Sequence, residues 1–105
     1  MEEIRMTVEE MKEETGITLK VQGRIDTNTS VQLQDKLLKA LQKTRELTLD
    51  LEGSDYVSSA GLRTFLIAQK TAMATGGTFK LRHVNPEVGE VLDKSGFSKI
   101  ITIEV

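Results

Sequence analysis

Leu47-Thr48-Leu49-Asp50-Leu51-Glu52-Gly53-Ser54-Asp55-Tyr56-Val57-Ser58-Ser59-Ala60-Gly61-Leu62 passes from a strand through a loop into a helix, and this transition decides the fold. Residues 47–51 alternate Leu with polar residues over a strand's length, and residues 52–57 read as a loop. A helix is predicted over residues 59–74, with Leu62, Phe65, Leu66 and Met73 as its inner stripe and Gly76-Gly77 as its stop. Residues 78–82 then return as a strand. A strand, a helix and a second strand in succession imply parallel pairing through a right-handed crossover.

The same pattern continues in both directions. Upstream, residues 6–9 and 17–21 alternate apolar and polar around Thr15-Gly16, which reads as an antiparallel hairpin whose second strand can run on to Ile25. Thr27-Asn28-Thr29-Ser30 supplies helix-capping residues, and Thr29 with Gln32 fits a capping box. Leu33, Leu37, Leu38 and Leu41 then share a helix face that ends near Lys43. Downstream, Asn85 is the expected N-cap and Pro86 the first residue of a helix with Val88, Val91 and Leu92 as its stripe. Gly96 falls where a left-handed C-cap is expected, and residues 101–103 form a last strand. The expected fold is α/β, a mixed sheet with helices packed on it in the order β-β-α-β-α-β-α-β, as one domain over residues 1–105.

Composition narrows the function. The chain has 105 residues, Lys+Arg 14 against Asp+Glu 16, a net charge of −2 and 38% hydrophobic residues. It has room for one domain, and a chain of this size buries roughly two-thirds of its unfolded surface. No apolar run is long enough to span a membrane, and Met1-Glu2-Glu3 does not open a signal peptide, so a cytoplasmic protein is expected. With no Cys and His83 as its one His, the chain has no thiolate ligands and little for a zinc or general-base constellation. His83 reads as a surface or strand-end residue, and no metal or cofactor is expected. Residues 1–14 form an acidic arm of six acids and two bases. Elsewhere Lys20, Arg24, Lys36, Lys39, Lys43, Arg45, Lys80 and Arg82 are scattered among acids, which does not suit direct nucleic-acid binding.

Chemistry concentrates at Ser58 and Ser59, where the helix begins after the central strand; ligands and partners meet α/β sheets at the carboxyl ends of strands. One reading is simple helix capping. A nucleophile elbow has only the Ser59-Ala60-Gly61 half of its motif, and no acid lies between Ser59 and His83 to complete the order Ser, acid, His. Gly76-Gly77 precedes a strand and lacks the lysine of a phosphate-binding loop. The remaining reading is a covalent switch, in which a helix N-terminus carries a phosphoryl group of about −2 charge and favours it by up to ~2 kcal/mol. A partner docked there would have to desolvate that charge.

Residues 49–62, together with Gly23-Arg24-Ile25-Asp26, resemble the STAS domains of bacterial anti-sigma factor antagonists, whose usual core is Asp-Ser-Ser/Thr-Gly-Leu. The resemblance covers nearly the whole chain. It implies partner switching: the unmodified protein binds an anti-sigma factor that is an ATP-dependent serine kinase and so frees a sigma factor. Phosphorylation by that kinase releases the antagonist, and a metal-dependent serine phosphatase resets it. Gly61-Leu62 sets the register, placing Ser59 at the phosphoacceptor position with Ser58 as a rival in the place of the usual Asp, and Ala60 in place of the second hydroxyl. Loss of that Asp removes a negative charge beside the acceptor. The partner-binding residues expected are Asp26, Thr27, Asn28, Tyr56, Ser58, Ser59, Gly61, Leu62 and Arg63, with Asp26 equally readable as a helix cap and Leu62 as core. The alternative is a non-phosphorylated STAS scaffold or ligand-sensing module. No catalysis by the chain itself is expected, and an edge strand able to pair leaves monomer or weak dimer open.

Overall fold

The computed structural model describes residues 6–104, so the first acids of the N-terminal arm and Met1 lie outside the described residues. The elements are β1 (Met6–Lys12), β2 (Ile17–Gly23), α1 (Thr29–Leu41), β3 (Glu46–Gly53), α2 (Ser59–Ala74), β4 (Thr78–Arg82), α3 (Pro86–Lys94), a 3-10 turn over Phe97–Lys99 and β5 (Thr102–Ile103). This is the order expected from the sequence. The strands lie side by side as β1-β2-β3-β4-β5, with β1 antiparallel to β2 and every other pair parallel.

Because each parallel strand is added on the same side of its predecessor through a right-handed crossover, all three helices fall on one face of the sheet. Ile17, Leu47 and Phe79 share one rung of that face, and Leu19, Leu49 and Leu81 share another. They pack with Leu33 and Leu37 of α1, Phe65 of α2, and Val88 and Leu92 of α3 into one buried core. The opposite face is polar. Thr18, Thr48, Lys80 and Thr102 are in register across it, and so are Glu9, Lys20, Asp50 and Arg82. Opposite charges therefore alternate along that second rung.

The acidic arm is, from Met6 onward, a strand of the hairpin. Two of its described acids find partners: Glu10 pairs with Lys43 at 2.9 Å, and Glu13 accepts a hydrogen bond from the Thr18 hydroxyl.

Several details differ from the sequence expectation. Met73 is 67% exposed, and the inner face of α2 is Leu62, Phe65, Ala68 and Ala72, with Leu66 only half-buried. Leu38 is likewise half-buried and Ala40 takes a core place, while α1 stops at Leu41 instead of near Lys43. On α3, Val91 is at the surface and Val88 with Leu92 carry the packing. Ile101 is buried but precedes β5. Asn85 caps α3 by accepting from the Val88 N–H at 2.9 Å, with Pro86 next to it, and Gly96 has φ 81°, the left-handed turn expected after that helix.

Candidate functional site

Two loops meet at the carboxyl ends of β2 and β3. Beyond β2 the chain makes a single parallel bridge, Ile25 to Val57, held by Ile25 N–H to Tyr56 O at 3.0 Å and Ser58 N–H to Ile25 O at 2.8 Å. The loop carrying Asp26 and the loop carrying Ser58 are thus joined by backbone hydrogen bonds. Side chains alternate along such a bridge, so Ile25 and Val57 point into the core while Arg24, Tyr56, Asp26 and Ser58 lie on the other side. The Arg24 guanidinium sits 3.9 Å from the centroid of the Tyr56 ring, a cation–π stack on the molecular surface.

The β2–α1 loop is built around Asp26. Its Oδ1 accepts from the backbone N–H of Asn28 at 3.0 Å and of Thr29 at 2.9 Å, and the Thr29 hydroxyl accepts from the Asp26 N–H at 2.8 Å. This is a reciprocal capping box, and it lies three residues upstream of the Thr29–Gln32 pairing expected from the sequence. Asn28, the residue immediately before the helix, makes no side-chain cap. The Thr29 N–H, then the Thr29 hydroxyl and the Asn28 N–H, hold the Asp26 carboxyl below its ordinary pKa, with Arg24 adding to the effect.

At the β3–α2 loop the two serines separate. Ser58 is the N-cap: its backbone is extended and its hydroxyl oxygen accepts from the Gly61 N–H at 3.2 Å. Ser59 is the first helical residue, exposed, and its hydroxyl has no partner among the described residues. The backbone N–H groups of Ser59 and Ala60 also lack acceptors among the described residues, so the positive end of α2 is open beside that hydroxyl. Arg63 lies four residues on, exposed on the same helix face as Ser59.

The other expected residues fall into two groups. Tyr56, 38% exposed, and exposed Thr27 and Asn28 are accessible at the surface. Leu62 is only 8% exposed and belongs to the core, and Gly61 is buried, so neither is available to touch a partner. Gly61 acts by its size: a Cβ there would lie 2.7 Å from Ile25 Cγ2 and 2.8 Å from Val57 Cγ1. The bridge that joins the two loops runs over a helix turn that must lack a side chain.

Sequence reasoning missed some participants. Arg24 reads as one of many scattered bases, and only the Ile25–Val57 bridge places it on Tyr56. Asn85, read as the cap of α3, also donates from Nδ2 to Ser54 O at 2.8 Å, which ties the β4–α3 loop to the β3–α2 loop. No periodicity or spacing signals either contact.

Comparison with known proteins agrees with this architecture. The family model described as "Mlab, STAS domain" matches residues 8–102. BtrV of Bordetella bronchiseptica, which bears the name of a candidate anti-sigma factor antagonist, is 36% identical over 84 residues, 79% of this chain and 72% of its own. The anti-sigma F factor antagonist of Paenibacillus polymyxa is 30% identical over 97 residues, 90% of this chain and 83% of its own. An anti-sigma factor antagonist from Mycobacterium paratuberculosis superposes with a TM-score of 0.84 at 18% identity, covering 93% of this chain and 84% of that one.

Proposed function

The chain belongs to the STAS domain family of anti-sigma factor antagonists, and on that premise we propose that it binds an anti-sigma factor serine kinase and is released when Ser59 is phosphorylated. The surface is the joined pair of loops carrying Asp26, Thr27, Asn28 and Tyr56, with Arg63 on the adjoining helix α2. Binding there in the unmodified state withdraws the anti-sigma factor from its sigma factor and so permits transcription. The γ-phosphoryl group of ATP, bound by the kinase, passes to Ser59 Oγ as its bond to the β-phosphate oxygen breaks and ADP leaves, and the hydroxyl proton is lost to solvent or to a kinase base. A metal-dependent serine phosphatase returns the hydroxyl. The protein is cytoplasmic, acts as a monomer or weak dimer, and supplies a substrate hydroxyl and a docking surface while its partners supply the catalysis.

The observation that carries this reading is the division of labour between the serines. Ser58 spends its acceptor oxygen on the cap, whereas the Ser59 hydroxyl is exposed and free of intramolecular partners among the described residues. Ser and Asp are comparably good N-caps, so Ser58 in the usual Asp position keeps the helix start while dropping one charge. A phosphoryl group on Ser59 has the open end of α2 and Arg63 nearby, so the free domain tolerates it. The partner does not: burying a poorly paired charge costs about 3–5 kcal/mol, a loss of roughly two to three decades in affinity.

Incubation with the cognate kinase and ATP, followed by intact-mass measurement and peptide mapping, tests the proposal. One phosphoryl group is expected on Ser59, absent in Ser59→Ala and retained in Ser58→Ala. A phosphate on Ser58, or phosphorylation that persists in Ser59→Ala, would overturn the site; failure of any phosphorylation alongside tight binding would favour the non-phosphorylated scaffold.

A further inference from the structure

On the polar face of the sheet, at the carboxyl ends of β3 and β4, three potential ligands converge. Asp50 lies on β3 and is 4% exposed. Glu52 follows two residues later on the same strand and face, and exposed His83 comes directly after β4. His83 Nδ1 lies 3.0 Å from Asp50 Oδ2 and 3.7 Å from Glu52 Oε1. One ligand atom from each of the three lies within 4.8 Å of the others. We propose that Asp50, Glu52 and His83 form a site for a late first-row divalent cation of the zinc class, with water completing its coordination.

The spacing fits an ion. Ligands about 2.1 Å from a zinc ion stand roughly 3.0–3.4 Å apart when their bond angle is octahedral or tetrahedral; the 3.0 Å His83–Asp50 separation falls on such an edge, and the 3.7 Å His83–Glu52 separation reaches it by a small turn of the exposed Glu52 side chain. The chemistry fits as well. One imidazole nitrogen with two carboxylates is a mixed N/O set, which suits zinc and its neighbours better than magnesium, an ion that prefers all-oxygen shells. The carboxylates bring two negative charges to one point. Of the two cations flanking Asp50 in register, Arg82 pairs with Glu104 at 2.9 Å, while Lys20 lies in register between Asp50 and Glu9. Asp50 Oδ1 is occupied by the Glu52 N–H at 3.0 Å, which orients Oδ2 toward the imidazole. Metal binding takes the Nδ1 lone pair in the tautomer whose proton sits on Nε2, replacing the present His–Asp hydrogen bond. The outward-facing Glu52 and His83 leave the position open to water and to exchange.

The chain's single histidine makes the test clean. Zinc chloride is titrated into the full-length protein while the imidazole nitrogens are followed by NMR and affinity is measured by competition with a chromophoric chelator. One equivalent is expected to move the Nδ1 signal, with no movement on adding magnesium chloride. His83→Ala and Asp50→Asn are each expected to weaken binding at least tenfold, and the surface variant Glu52→Gln to weaken it less. The wild-type NMR readout needs no variant, so a folding defect in Asp50→Asn leaves the result interpretable. Zinc binding that leaves the imidazole signal in place, affinity unchanged by His83→Ala, or no saturable binding would overturn the site, and displacement by magnesium would overturn the ion class.

Discussion

Gly61 governs how closely α2 can approach the bridge between the two loops, and its replacement tests that directly. In Gly61→Ala the new methyl group meets Ile25 and Val57 at separations no ordinary packing tolerates. Overpacking of this kind costs about 1–3 kcal/mol, read as a lowered urea midpoint together with weaker binding to the partner. Ser58→Ala removes the cap on the Gly61 N–H and is expected to lower stability by about 1 kcal/mol, while phosphorylation at Ser59 continues. Asp26 adds a pH dependence. Its folded pKa is depressed, chiefly by the Thr29 N–H, so its stabilising contribution is present above the ordinary carboxylate value and lost as pH falls through the folded one. The denaturation midpoint of the wild type is therefore expected to drop below about pH 4 more steeply than that of Asp26→Asn.

At the scale of elements, the weakest attachment by length is β5, with two residues. Glu104 just beyond it reaches back to β4, pairing with Lys80 at 2.7 Å and Arg82 at 2.9 Å. These two partners hold the Glu104 carboxyl below its usual pKa, the Lys80 hydrogen bond foremost. Glu104→Gln is expected to speed amide exchange in residues 101–104 while leaving exchange in β3 unchanged, and high salt should reproduce part of that effect in the wild type. The elements themselves were legible in the sequence because each carries a period: two for Leu47, Leu49 and Leu51, and near 3.6 for Leu33, Leu37 and Leu41. What was not legible depended on neighbours. Met73 satisfies the helical period but lies at the surface, and the buried alanines Ala68 and Ala72 give a weak hydrophobic signal. The capping box was displaced because Asp26 and Thr29 bond each other in a turn that precedes α1. The β3–α2 loop drew attention through its motif, whereas the exposure of Ser59 against the engagement of Ser58 needed coordinates.

For the molecule as a whole, the switch proposed here changes a surface and leaves the core alone. Ser59→Asp is expected to keep the helical circular dichroism signal and the cooperative unfolding of the wild type while weakening kinase binding in isothermal titration. Loss of cooperativity in that variant would instead make Ser59 a structural residue. Phe65 is the contrasting position: it is fully buried between α2 and the sheet, and Phe65→Ala should cost about 3–5 kcal/mol.

The spatial order of the strands repeats their order along the chain. As the polypeptide leaves the ribosome, each emerging strand finds the neighbour it needs already made, and no earlier strand has to reserve a gap for a later one. Each parallel pairing nonetheless joins residues far apart along the chain, Leu19 with Leu49 and Leu49 with Leu81, and such non-local contacts slow folding. The growing sheet presents one unfinished edge at a time, and the loops beyond β2 and β3 can join before the last helix has been synthesised.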